Sequence, residues 1–145
     1  DPISIWLANQ SAMTPDLPPL LKMVGDAYDK AQPGTGTRSA HVGIAASNTY
    51  VLLQHVLPRA IKQYGGTSGD ALRKAALDID LPEGGTMLGF GVKFLADGPM
   101  AGQNDRSFPV IIEYTADGAD VVWPKSQAKR PPTLPLPAGN PYTTR

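Results

Sequence analysis

The sequence contains no cysteine, which excludes a disulfide framework, a thiolate zinc site and a cysteine nucleophile. Absence of free thiols suits an oxidising compartment, where an unpaired thiol would be a liability. No run of about 18 apolar residues occurs, so the sequence predicts no transmembrane helix. The chain opens with Asp1-Pro2 and lacks a basic segment followed by an apolar one, so we expect no signal peptide within it.

The sequence also lacks an excess of charge of either sign. Its 13 Lys and Arg residues balance its 13 Asp and Glu residues, and a balanced chain has no electrostatic footprint for nucleic acid or an anionic membrane. The 145 residues are enough for one domain with a hydrophobic core. Proline is frequent after Trp123, so we divide the chain into a folded part, residues 1–124, and a Pro-rich extended tail, residues 125–145.

The longest periodic segment runs from Val42 to Tyr64 and predicts a well-buried helix, because its apolar stripe is wide. Pro58 lies inside this segment and predicts a kink, because proline removes a backbone donor and clashes with the preceding turn. Gly65 is expected to end the helix. The stripe consists of Val42, Ala45, Ala46, Thr49, Leu52, Leu53, Val56, Leu57, Ala60, Ile61 and Tyr64.

Two shorter helices are predicted on either side of the long one. Apolar residues recur at helical spacing from Leu17 to Tyr28, with Thr14 or Asp16 placed to cap that helix. After the long helix, Thr67 and Asp70 resemble a capping box that opens a short amphipathic helix. The middle of the chain is therefore predicted to be helical.

Strands are predicted at both ends of this helical region. Ile3–Leu7 alternates briefly between apolar and polar residues, and Gly91–Phe94 begins the strand pattern of the last third. Phe108–Tyr114 and Ala119–Trp123 are predicted to pair as an antiparallel hairpin that turns at Asp117-Gly118, because Asp-Gly tolerates positive φ. The expected fold class is α/β, with three helices followed by a small antiparallel strand set.

The sequence contains no recognisable metal-binding, nucleophile or nucleotide-binding motif. The spacing of His41 and His55 matches no zinc signature, and His55 is interpreted as a partly buried helix histidine. No serine lies in a Gly-x-Ser-x-Gly elbow. The loop Gly34–Ser39 lacks the third glycine of the dinucleotide fingerprint and the Gly-Lys-Ser/Thr of the P-loop. We therefore predict no metal, no cofactor and no catalytic residue.

A ligand site is predicted where the glycine-rich loop meets the long helix. Ser39, His41 and Ser47 are the candidate ligand-binding residues, because loops on a rigid scaffold display variable polar groups. The start of the helix offers free backbone N–H groups and the positive end of its dipole. A carboxylate of a small ligand is the kind of group expected to bind there.

Three blocks near the carboxyl end resemble a known family. They are Gly91–Asn104, with Gly-Val-Lys-Phe and Gly-Gln-Asn, then Val110–Gly118 with Val-Ile-Ile-Glu-Tyr-Thr-Ala-Asp-Gly, and the closing Val-Val-Trp-Pro of Val121–Pro124. The order of these blocks, after the segments Ala45–Val51 and Gly69–Leu77, is similar to the type I periplasmic solute-binding proteins of branched-chain amino acid ABC transporters. The resemblance covers roughly residues 17–124 and corresponds to the carboxyl-terminal portion of the family.

The resemblance implies an extracytoplasmic solute receptor, and not an enzyme. Its expected partners are a small amino-acid-like or aromatic organic acid, a membrane permease and the remaining amino-terminal part of the receptor, with no nucleic acid. The implied location is the periplasm, with the signal peptide outside this chain. This chain departs from the family in two ways. Family members are much longer, and this chain has the small residues Ala45 and Ala46 where the family often places a ligand-contacting side chain.

Two other classes of function stay open on the residues alone. One is a small hydrolase or transferase that uses His41 with an acid and a nucleophile elsewhere in the chain. The other is a structural or partner-binding module that presents the Pro-rich tail to a groove. The tail has no cleanly repeated recognition motif, so the partner-binding module is the least favoured of the three hypotheses.

Overall fold

The computed structural model describes residues 9–34, 40–115 and 118–135, and within them every side chain except those of Ala40 and His41. The predicted strand Ile3–Leu7 lies outside these residues. The described chain is a mixed α/β structure in which helices precede a small two-stranded antiparallel sheet. The elements are α1 (Leu17–Ala31), α2 (Ala40–Val51), a π-helical turn (Leu52–Val56), α3 (Leu57–Tyr64), α4 (Gly69–Leu77), β1 (Ile111–Thr115) and β2 (Gly118–Trp123).

The predicted hairpin is confirmed, with small shifts of its bounds. β1 and β2 pair antiparallel, and the register places Ile112 opposite Val121 and Tyr114 opposite Ala119. Gly118 pairs with Thr115, so it is the first residue of β2 and not a turn residue. Both segments are rich in β-branched and aromatic residues, which favour strands, although neither alternates between apolar and polar residues and the consecutive Val121 and Val122 are both buried.

The predicted strand Gly91–Phe94 is wrong. This segment makes only isolated bridges, from Val92 to Leu81 and from Phe94 to Asn104. The Asn104 side chain satisfies its backbone instead, since Asn104 Oδ1 accepts the Lys93 N–H at 2.9 Å and Asn104 Nδ2 donates to the Gly91 carbonyl at 2.9 Å. One asparagine thus replaces the partners that a neighbouring strand would supply.

The helix ends follow the sequence in part. Gly65 ends α3 with φ +75°, as predicted for a glycine that adopts the left-handed conformation. The cap of α4 is Ser68 and not the predicted Thr67, since Ser68 Oγ accepts the Ala71 N–H at 3.2 Å. Asp70 in the first turn of α4 pairs with Lys74 at 2.8 Å, one turn later.

Buried apolar residues form two clusters. The first packs α1 onto the loop after α4, through Met13, Leu17, Leu21, Met87 and Leu88. The second packs α3 onto α4 and the segment that follows it, through Val56, Ala60, Ala71, Ala75, Ile79 and Val92. The small alanines at Ala60, Ala71 and Ala75 let α3 and α4 approach closely.

The burial predicted for the long helix is wrong over much of its stripe. Leu52, Leu53 and Ile61 are 46%, 49% and 53% exposed, whereas Ser47 and Ala60 are buried. The π-helical turn explains part of the error, because an i→i+5 turn holds more residues than an α-turn and shifts the helix face after it. A stripe drawn with one constant period therefore does not stay on one side of the helix.

The first part of the predicted tail packs against the hairpin. The Lys129 N–H donates to the Val121 carbonyl at 2.9 Å, and Arg130 pairs with Glu113 at 3.1 Å and with Asp120 at 3.2 Å. Gln127 is buried and its Nε2 donates to the Gly89 carbonyl at 2.9 Å. Residues 136–145 of the tail lie outside the described part of the chain.

Candidate functional site

The structure describes only part of the predicted ligand site. Ser39 lies outside the described residues. The sequence places His41 one residue before the long helix, at the end of the glycine-rich loop. This placement is wrong, because α2 begins at Ala40 and His41 belongs to its first turn; the side chain of His41 is not described. Ser47 lies on α2 and is 1% exposed, so within the described chain its hydroxyl does not reach solvent. The ligand-binding role of these three residues stays a prediction.

The opposite side of α2 is an exposed apolar face. We call Val42, Ala45, Thr49, Leu52 and Leu53 the α2 stripe, since they recur at helical spacing and all five are exposed. At 1.5 Å per residue the stripe is about 17 Å long. No Asp, Glu, Lys or Arg lies between Ala40 and Pro58. The stripe is therefore an uncharged apolar strip on the surface of the described chain.

Beside the stripe, a polar cluster joins α2 to the residues before α1. Tyr50 Oη donates to Asp16 Oδ2 at 3.0 Å, and the rings of Tyr50 and His55 meet edge to face with centroids 5.5 Å apart. His55 Nε2 is buried and has no hydrogen-bond partner among the described residues. We call Asp16, Tyr50 and His55 the polar cluster.

The backbone places His55 in this cluster through the π-helical turn. The Leu57 N–H donates to the Leu52 carbonyl, which is five residues earlier, and Pro58 follows directly. Proline lacks an N–H, and its ring clashes with the carbonyl four residues earlier, here that of Gln54. A widened turn just before Pro58 relieves that clash, so the predicted kink takes the form of a π-helical turn.

The cluster shifts the acidity of its members. Hydrogen bonds from Thr14 and then from Tyr50 lower the pKa of Asp16. Burial, followed by the hydrogen bond to Asp16, raises the pKa of the Tyr50 hydroxyl. Burial lowers the pKa of His55, and the nearby Arg59 charge acts in the same direction. At neutral pH the cluster therefore holds a carboxylate, a neutral phenol and a neutral imidazole.

These groups do not form a nucleophile–base pair. Tyr50 is already a donor to Asp16, and the contact between Tyr50 and His55 is between ring edges and faces. Within residues 9–34, 40–115 and 118–135, no group of three or more His, Cys, Asp or Glu side chains is arranged to hold a metal ion. The interpretation of His55 as a partly buried helix histidine agrees with its position.

Sequence reasoning missed the polar cluster as a unit. Asp16 was expected only as a helix cap, and it makes no side-chain cap hydrogen bond to α1. In the sequence, Tyr50 stands out only as part of the block that resembles the solute-binding family. The contact joins residues 34 positions apart, and no local spacing signals such a contact. A signal in the sequence is the ionisable side chain of His55 in the stretch between Ala40 and Pro58, which has no Asp, Glu, Lys or Arg.

Comparison with known proteins adds no relative. No protein-family model, no curated protein and no solved structure matches this chain. Among the described residues, no helix is both long and apolar enough to cross a membrane.

Proposed function

We propose that this chain is the carboxyl-terminal part of an extracytoplasmic solute receptor of an ABC transporter. The receptor would bind a small amino-acid-like or aromatic organic acid between two lobes in the periplasm. Its closed form would then be recognised by a membrane permease. Closure of this kind shifts an equilibrium between open and closed states through the ligand's higher affinity for the closed state. The mechanism is non-covalent and needs no catalytic residue.

The observation that carries the proposal is the α2 stripe. An apolar strip about 17 Å long, on a helix without charged residues, is the kind of surface that another folded part covers. Leu52 and Leu53 are 46% and 49% exposed, so covering the rest of each side chain would stabilise the protein by about half of the roughly 1.5–3 kcal/mol expected for burying a fully exposed leucine. A receptor whose remaining amino-terminal part packs on this helix accounts for the stripe.

The resemblance supplies the class of function, and the polar groups at the start of α2 supply the proposed ligand contact. The start of α2 holds His41 and follows the glycine-rich loop with Ser39. Backbone N–H groups in the first turn of a helix lack partners within it and favour an anionic group. A ligand carboxylate at this helix start is consistent with the proposed solute class.

Calorimetric titration of the complete gene product with leucine, phenylalanine and benzoate tests the proposal. We expect saturable binding of at least one of them. We also expect His41→Ala and Ser39→Ala to weaken that binding at least about tenfold, which corresponds to about 1.4 kcal/mol. Gln63→Ala is the matched control, because Gln63 is an exposed polar residue of α3 outside the predicted site.

Two results would count against the proposal in different ways. If none of the three solutes binds the complete product, the receptor function is wrong for this class of solute. If a solute binds and all three variants keep the native affinity, the receptor function stands and the site lies elsewhere.

A further inference from the structure

A second surface of the molecule has the form of a small-molecule groove. A groove of about 530 Å³ runs between the end of β2 and the first part of the tail. Its apolar lining comes from Val122, Trp123, Ala128, Pro131 and Pro132. Trp123 is 48% exposed, so part of its indole ring faces the groove and solvent. The volume lies within the range of about 300–1,000 Å³ that is usual for ligand pockets.

Every charged residue that lines this groove is a cation. The three are Lys125, Lys129 and Arg130. Two of them already have carboxylate partners, since Asp120 pairs with both Lys129 and Arg130 and Glu113 pairs with Arg130. Lys125 has no side-chain partner among the described residues. The groove therefore combines an aromatic surface with an ammonium group that has no partner in the described part of the chain.

We propose that this groove binds a planar aromatic monoanion, such as an aryl carboxylate. The aromatic body would stack on the exposed part of the Trp123 ring and contact Pro131 and Pro132. The carboxylate would lie against the Lys125 ammonium, the one lining cation without a carboxylate partner. The charge of the lining selects the anion, because a cationic ligand would meet three like charges and no free carboxylate. Among the described residues, those that line this groove do not belong to the ligand site predicted at Ser39, His41 and Ser47, and the proposal does not depend on the receptor function proposed above.

The two tryptophans of the chain allow a direct test. The purified chain is titrated with 2-naphthoate while the two indole N–H signals are followed by ¹⁵N–¹H correlation NMR. The Trp6→Phe variant assigns them. We expect the Trp123 signal to shift saturably, and the neutral 2-naphthalenemethanol to bind about tenfold more weakly because it cannot pair with an ammonium group.

Three variants separate the parts of the proposal. Lys125→Gln should weaken 2-naphthoate binding about tenfold, and Trp123→Leu should weaken it by a similar factor or more. Lys62→Gln on α3 is the matched control, because it removes an exposed lysine charge outside the groove and should leave the affinity unchanged. Lys125 is exposed, so its substitution keeps the test valid even if Trp123→Leu fails to fold.

The proposal is overturned by any of three results. The first is a Trp123 signal that does not move at saturating 2-naphthoate. The second is an equal loss of affinity in Lys125→Gln and Lys62→Gln, which would indicate attraction to net charge alone. The third is binding that perturbs only signals of the α2 stripe, which would assign the aromatic ligand to that apolar face.

Discussion

The Tyr50 hydroxyl donates a hydrogen bond to Asp16 Oδ2 at 3.0 Å and so connects α2 to the segment just before α1. Tyr50 also packs against the first core cluster, which holds α1 on the loop after α4. One side chain therefore combines an apolar contact with a polar one across two helices. This combination fixes the position of α2, a helix whose opposite face is exposed.

Tyr50→Phe keeps the ring and removes the hydrogen bond. We expect a loss of about 0.5 kcal/mol in unfolding free energy at pH 7, at the low end for a hydrogen bond because Asp16 is exposed to solvent. Because the pKa of Asp16 is lowered in the fold, its contribution is present above its ordinary pKa and is lost as the pH falls. Urea unfolding at pH 7 and pH 3 checks this. If Tyr50→Phe lowers the unfolding free energy by the same amount at pH 7 and at pH 3, the predicted pH dependence of this hydrogen bond is wrong.

Glu113 should make the hairpin and the start of the tail sensitive to acid. Hydrogen bonds from the Thr133 side chain and backbone N–H, followed by Arg130, lower the pKa of Glu113 to about 2. The folded pKa lies below the ordinary value of 4.5, so this stabilisation is complete above pH 4.5 and is lost as the pH falls towards 2. The Glu113 carboxyl carbon chemical shift, followed from pH 7 to pH 2, should show no titration near 4.5. Arg130→Gln should raise the midpoint, whereas a midpoint near 4.5 in the native chain would disprove the contact.

Substituting Leu21 in the first core cluster and Leu53 on the α2 stripe tests whether another part of the protein covers the stripe. In this chain Leu21→Ala should cost about 2–5 kcal/mol, because Leu21 is 2% exposed in the first core cluster. Leu53 is 49% exposed, so Leu53→Ala should cost less than about 1 kcal/mol in the same denaturant experiment. In the complete gene product we expect the cost of Leu53→Ala to rise into the range of a core substitution. If Leu53→Ala costs equally little unfolding free energy in this chain and in the complete gene product, no other part of the protein covers the α2 stripe.

Position 89 requires glycine for two reasons, a close approach of the Gln127 side chain and a positive φ angle. Its φ is +85°, and a Cβ added there would lie 2.3 Å from Oε1 of the buried Gln127. Gly89→Ala should therefore destabilise the chain by about 2–4 kcal/mol, from backbone strain plus overpacking. Gly98→Ala is the control, because its φ is +80° and an added Cβ meets nothing within 4 Å. It should cost only the backbone part, about 1–2 kcal/mol. Equal melting temperatures for the two variants would exclude the Gln127 contact.

Features that depend on neighbouring residues follow directly from the amino-acid sequence. The helices of the middle, the end of α3 at Gly65 and the antiparallel hairpin all follow from local periodicity and from the conformations that glycine allows. These properties are set within a few residues of chain. For the same reason, the α4 cap was misplaced by only one residue, since Thr67 and Ser68 have the same capping chemistry.

Long-range packing sets which helix faces are buried and which polar groups come into contact. The stripe of the long helix was misjudged because periodicity shows that a helix has an apolar face, but not whether anything covers that face. The segment Gly91–Phe94, predicted as a strand, is hydrogen-bonded instead by the side chain of Asn104, which lies farther along the chain. The contacts of Tyr50 with Asp16 and of Gln127 with Gly89 join residues 34 and 38 positions apart. Such contacts depend on how the whole chain packs, and no local pattern in the sequence encodes them.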